Sequence, residues 1–241
     1  MTGTLNSGDG EPSVPETFAA YAADRADPRA TDWLRERSEP DWSEAIEGRF
    51  VRELGGGEIS EAVFRRYLVQ DYAFVESLAS LIGYAIGDAP AMAAKGRLVE
   101  FLGTLTTEEN DYFERSFNAL DVPAMDRNDP ELTASTRAFE DLLGRASREG
   151  GYVENLAVLV PAEWVYLAWA RNAEKTPSEF YLAEWIELHD NPEFVSFVGW
   201  LREELDRELE AASPRRQRRL DRLFRRTVEL EREFFEAAYE G

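Results

Sequence analysis

The fourteen residues AVLVPAEWVYLAWA, positions 157–170, carry one charge, that of Glu163. A segment with no polar face belongs in an interior, because removing apolar area from water is the main force of folding. It is too short to cross a bilayer, which takes roughly 20 apolar residues. The rest of the chain therefore has to wrap around it. Glu163 is the exception within the run. An unpaired carboxylate is expensive to bury unless it is paired, hydrogen-bonded or protonated.

The surrounding pattern is helical. Ser60 is placed to cap a helix, with Ile59 and Phe64 as a hydrophobic staple across the cap. Phe64, Tyr67, Leu68, Phe74, Val75, Leu78 and Ile82 then recur at helical spacing. Further helices are expected near 91–119, 131–147, 151–173, 178–189, 192–211 and 214–239. The last opens on Ser213 and Pro214, a cap followed by a first-turn proline. Pro161 interrupts the backbone bonding of its helix and should kink it. Breakers such as GDAP, EKTPS and HDNP separate the segments, and no alternating strand pattern or internal repeat appears. The expectation is one all-α domain, a single multi-helix bundle over residues 15–241, preceded by a disordered polar tail over 1–14.

Composition narrows the chemistry. The 241 residues include no cysteine and one histidine, His189, which rules out a thiolate nucleophile and any multi-histidine metal centre. Di-iron bundles, with their Glu-x-x-His pairs, are excluded by the same count. The formal net charge is −21, from 48 acidic and 27 basic residues. A field of that sign repels nucleic acid and anionic membranes. Only Lys95 and Lys175 are lysines, a balance that looks adapted to high salt. The arginine-rich stretch 215–226 reads as a solvated face pairing with the acidic 202–210 just before it. No secretory signal is evident, so a cytoplasmic location is expected.

Glu163 is not alone in its setting. Asp71 falls in the middle of the apolar stripe of the helix after Ser60. Glu231 falls on the stripe of the last helix, with Phe224, Val228, Phe234 and Phe235, while Glu229, Arg232, Glu233 and Glu236 face the other way. Three helices distant in sequence each aim one acid inward, among aromatics that include Phe74, Tyr166 and Phe234. His189 extends a stripe through Tyr181, Trp185 and Ile186. Such an arrangement suits a planar, nitrogen-rich ligand: carboxylates hydrogen-bond ring nitrogens and amino groups, and aromatic faces stack. Burial would also raise the acids' pKa values toward the range useful for proton transfer. Each acid could instead be one half of a buried salt bridge, since arginines are plentiful, and His189 could be a core residue bonded to backbone.

Four segments, FRRYLVQDYAFV (64–75), LVPAEWVY (159–166), YLAEWIELHDNPEF (181–194) and ELEREFFEAAYE (229–240), together resemble the TenA family of thiaminase II-like proteins, over about residues 40–240. The resemblance implies a heme oxygenase-like helical bundle, a homotetramer, and an internal pocket for a thiamine pyrimidine with no cofactor and no metal. It implies that Asp71 binds the pyrimidine amino group and ring nitrogen, and that Glu231 is a catalytic glutamate. Phe234 would stack on the ring, with Tyr166 in the pocket. Phe74, Phe139 and His189 stand where many members have tyrosines. The departure is Ala162, where cysteine-bearing members place their nucleophile. Alanine cannot add to a ring. Members lacking the cysteine use glutamates, and Glu163 fits that branch. The implied function is hydrolysis of thiamine-derived aminopyrimidines in salvage, with Asp71, Glu163 and Glu231 as catalytic residues. The alternative is an aminopyrimidine-binding or regulatory protein without turnover.

Overall fold

The structure, a computed structural model, describes residues 14–240. The tail expected over 1–14 lies outside the described residues except for Val14, which packs against the core. Among the described residues there is no strand.

Four short helices come first: α1 (Phe18–Ala22), α2 (Ala30–Arg37), α3 (Asp41–Glu47) and α4 (Arg49–Gly56). The long α5 (Glu61–Asp88) follows, then α6 (Met92–Thr104) and α7 (Asn110–Ala119), joined without a break through a π-helical turn, Leu105–Glu109. A short α8 (Ala124–Asn128) leads to α9 (Ala134–Glu149), α10 (Tyr152–Arg171), α11 (Phe180–His189), α12 (Pro192–Ala211) and α13 (Pro214–Ala237). The caps are those the sequence suggests. The side chain of Ser60 accepts from the Val63 N–H and that of Ser213 from the Arg216 N–H. Ile59 and Phe64, on either side of the first cap, are both buried.

The apolar run forms the middle of α10, and α10 is the axis of the bundle. Every residue of α10 except Trp164, Ala168 and Arg171 is buried. It packs against α13, α12, α5, α3 and α9, so no face needs to be polar. Leu156, Val158, Leu159, Val160 and Val165 are fully buried, and each such side chain stabilises the fold by about 1.5–3 kcal/mol. The helix runs through Pro161 without interruption. The buried core extends from Phe18 to Ala238.

The arginine-rich segment finds different partners from those expected. Arg216 binds Glu154 of α10 at 2.7 Å, and Arg226 binds Glu229 of its own helix at 2.7 Å. The acids of α12 pair elsewhere: Asp206 with Arg29 of the chain before α2, at 2.8 Å, and Glu204 with Arg207 at 2.5 Å. The first turn of α13 lies over the start of α10, which brings Arg216 to the buried Glu154, while the acids of α12 are taken up by Arg29 and Arg207. Among the described residues, no helix is long and apolar enough to cross a membrane.

Candidate active site

Buried acids in this protein fall into two groups. Glu154, Glu204 and Asp221 are buried and each is bonded to an arginine: Arg216, Arg207 and Arg37. Asp71, Glu163 and Glu231 are as deeply buried, at 2 %, 6 % and 1 % exposure, and form no ion pair among the described residues. The first group is structural. The second is the three stripe acids, brought together from α5, α10 and α13.

One cavity gathers most of them. Asp71, Phe74, Glu163, Tyr166 and His189 line a small enclosure of about 20 Å³ at the core of the bundle, with Ala162, Trp185, Leu105 and Glu109. That is room for a water molecule or two. Ala162 and Glu163 share the wall, so the substituted nucleophile position and the acid beside it face the same space.

The hydrogen bonds are directional. The Tyr166 hydroxyl donates to Asp71 Oδ1 at 3.2 Å and lies 2.9 Å from the Tyr67 hydroxyl. Tyr166 has one proton and spends it on Asp71, so Tyr67 donates to Tyr166. Asp71 Oδ2 is buried without a partner, as is Glu231 Oε1. His189 Nδ1 donates to the Trp185 carbonyl at 2.8 Å, which leaves Nε2 as an acceptor. Burial lowers the His189 pKa to about 4, so the imidazole is neutral and brings no positive charge.

With no cation nearby, the acids keep their protons to higher pH than free carboxyls do. Burial raises the Asp71 pKa to about 7, against the opposing pull of the Tyr166 hydroxyl. Burial, and then the charge of Asp71, raise the Glu163 pKa to about 8. The Glu231 carboxyl is pushed well above the carboxylate range by burial and then by the charges of Asp71 and Glu163. The Glu231 side chain does not line the cavity. Phe139 and Phe234 also stand back from the cavity. Both pack on Phe74, at ring-centroid distances of 4.7 and 6.2 Å. Phe234 opens instead onto a separate groove with Arg65, Arg66 and Gln70.

Glu109 is the lining residue that the stripe argument passed over. It ends the π turn and is partly exposed. Its carboxyl is nonetheless crowded enough that burial, followed by the charges of Glu163 and Asp71, raises its pKa well above the ordinary range. The signal was present: Glu109 lies four residues after Leu105 and three and four before Tyr112 and Phe113, all buried. Among the described residues, no three His, Asp or Glu side chains are grouped so as to hold a metal ion.

Comparison with known proteins agrees with this architecture. An aminopyrimidine aminohydrolase of Halalkalibacterium halodurans is 25% identical over 210 residues, spanning 86% of this chain and 93% of that protein. One from Helicobacter pylori is 22% identical over 216 residues, spanning 88% and 100%. Among solved structures, a TenA homologue from P. horikoshii OT3 superimposes with a TM-score of 0.78 at 25% identity, covering 88% of this chain and 99% of that one. A TenA family transcription regulator from Silicibacter sp. TM1040 does so with 0.79 at 22% identity, covering 87% and 96%. The sequence model of the TENA/THI-4/PQQC family matches residues 35–241, and with the all-α bundle and its buried acids in place, the chain belongs to that family.

Proposed function

We propose that the protein is a cofactor-independent hydrolase of thiamine-derived aminopyrimidines, acting through carboxylates in place of a cysteine. The observation that carries this reading is a set of three buried acids without arginine partners, two of which, Asp71 and Glu163, line a cavity with Tyr166. Structural acids in the same protein are paired. Asp71 and Glu163 are left open to a ligand in the cavity, and Glu231 keeps an unpartnered buried oxygen.

In this mechanism Asp71 orients the ring. Its Oδ1 is held by Tyr166, and its free Oδ2 accepts from the ring's amino group. Glu163, in its ionised form, takes a proton from a water molecule, whose oxygen bonds to the exocyclic methylene carbon as the carbon–nitrogen bond breaks. Glu231, held protonated, gives its proton to the departing nitrogen when that nitrogen is a neutral amine; an alkylammonium nitrogen already carries the proton and leaves directly as ammonia. The products are a hydroxymethylpyrimidine and ammonia. Two acids with raised and unequal proton affinities can serve as base and acid at neutral pH. Phe139 and Phe234 support Phe74 from behind, and His189 offers a neutral acceptor. An oligomeric, cytoplasmic enzyme working in high salt is part of the same reading, resting on the family resemblance and the charge of −21.

The test is turnover of an aminomethylpyrimidine and of its N-formyl derivative. Glu163→Gln should keep ligand affinity and lose about 10²–10⁴-fold in turnover, the usual range for general acid–base groups. Asp71→Asn should weaken binding instead. Wild-type protein that binds a pyrimidine in calorimetry but accumulates no product across pH and salt would point to a binding protein and refute the hydrolase.

A further inference from the structure

The inner cavity has a neighbour. A larger vestibule of about 450 Å³ lies between α6, the π turn and the corner from α11 to α12, and it shares Phe101, Glu109 and His189 with the inner cavity. Glu109 therefore stands where the two spaces meet. Its carboxylate has no hydrogen-bond or ion-pair partner among the described residues. The one basic side chain of the vestibule, Arg97, is engaged with Glu100 at 3.3 Å and the Ser196 hydroxyl at 2.7 Å. The remaining charged groups there, Glu108 and Glu193, are acidic.

The position of Glu109 depends on the π turn. One extra residue per turn rotates the chain after Leu105, and such turns recur at functional sites. Asp71, Glu163 and Glu109 line the same cavity, so a substituent on a ring bonded to the free Oδ2 of Asp71 is within the space that Glu109 borders. A group arriving there meets one carboxylate within the cavity wall, three more acids beyond it, and a neutral imidazole.

We propose that Glu109 is a specificity-determining residue that selects substrates whose reacting substituent is an alkylammonium group over neutral acylated or anionic phosphorylated counterparts. This rests on the hydrolase reading of the inner cavity but adds a residue and a discrimination to it. The arriving ammonium supplies the cation the site lacks, so Glu109 releases its proton to solvent on binding and accepts a charge-assisted hydrogen bond in the ground state; the loss of this contact should appear mainly in KM.

The experiment compares an aminomethylpyrimidine with its N-formyl derivative at pH 7, where a primary alkylamine is protonated, in wild type, Glu109→Gln and Glu109→Asp. Binding is read by calorimetry and turnover by product. Glu109→Gln should lose about 10- to 100-fold for the ammonium ligand, the range for a hydrogen bond to a charged group. Binding of the formyl ligand should change by less than about threefold, and Glu109→Asp should keep the preference because it keeps the charge. Equal losses for both ligands, or no loss for either, would overturn the proposal while leaving the hydrolase intact. A wild type that binds neither ligand overturns both readings. Thermal melts of the three proteins separate a folding defect from a loss of selectivity.

Discussion

Replacing Glu163 with glutamine tests the burial argument through stability alone, without substrate. Glu163 has a pKa of about 8 in the folded protein against 4.5 for the free side chain. The folded state therefore keeps a proton that the unfolded chain gives up, and raising the pH favours the unfolded chain. The contribution is fully present below about 4.5 and is lost as pH rises through about 8. Each pH unit in that window corresponds to about 1.4 kcal/mol. By pH 7 the wild type should have lost about 3 kcal/mol from this group, and above its folded pKa between 4 and 5 kcal/mol in order of magnitude. Glutamine resembles the protonated acid in shape and cannot ionise. Urea denaturation of both proteins from pH 5 to 8.5, in one high-salt buffer, should show similar stability at pH 5. The variant should gain steadily as pH rises. Asp71 is present in both proteins and drops out of the difference to first order. A difference that stays constant with pH would refute the claim that Glu163 is buried without a compensating charge.

Two further outcomes follow from other parts of the molecule. The excess of acids should make thermal midpoints higher in several molar KCl than at about 0.1 M, because unscreened carboxylates repel one another; an unchanged midpoint would contradict adaptation to salt. Tyr166→Phe should remove the donor to Asp71 and leave the buried Tyr67 hydroxyl without its acceptor, costing about 1–3 kcal/mol in urea denaturation. The same variant should bind a pyrimidine ligand more weakly than wild type.

Much of the architecture is written in the sequence because helical spacing and caps are local. Ser60, Ser213 and the stripes of α5 and α13 are legible from residues three or four apart. The inward aim of Asp71, Glu163 and Glu231 follows from the same rule. What spacing could not supply is depth. Phe234 is on the right face of α13, yet it packs behind Phe74, and only the crossing of α5, α9 and α13 decides which aromatic reaches the cavity. The partners of Arg216 and Asp206 were likewise set by helix placement rather than by adjacency in the chain. The short helices α1–α4 carry too few turns for a periodic signal. Glu109 shows a different limit: its stripe is regular, but the π turn gives no clear mark in the sequence.

The smallness of the inner cavity bears on how any ligand would be held. At about 20 Å³ it accommodates water and not a substituted six-membered ring. Occupancy by a ring therefore requires the walls to part, and the least regular wall is the one that carries Leu105 and Glu109. The free energy of parting is subtracted from every contact made afterwards, so the measured affinity of such a ligand understates the strength of its grip. Two proteins with identical contacts to a pyrimidine would then differ in dissociation constant according to how readily this turn yields. Residues that never touch the ligand, around Thr106 and Thr107, would set part of that constant.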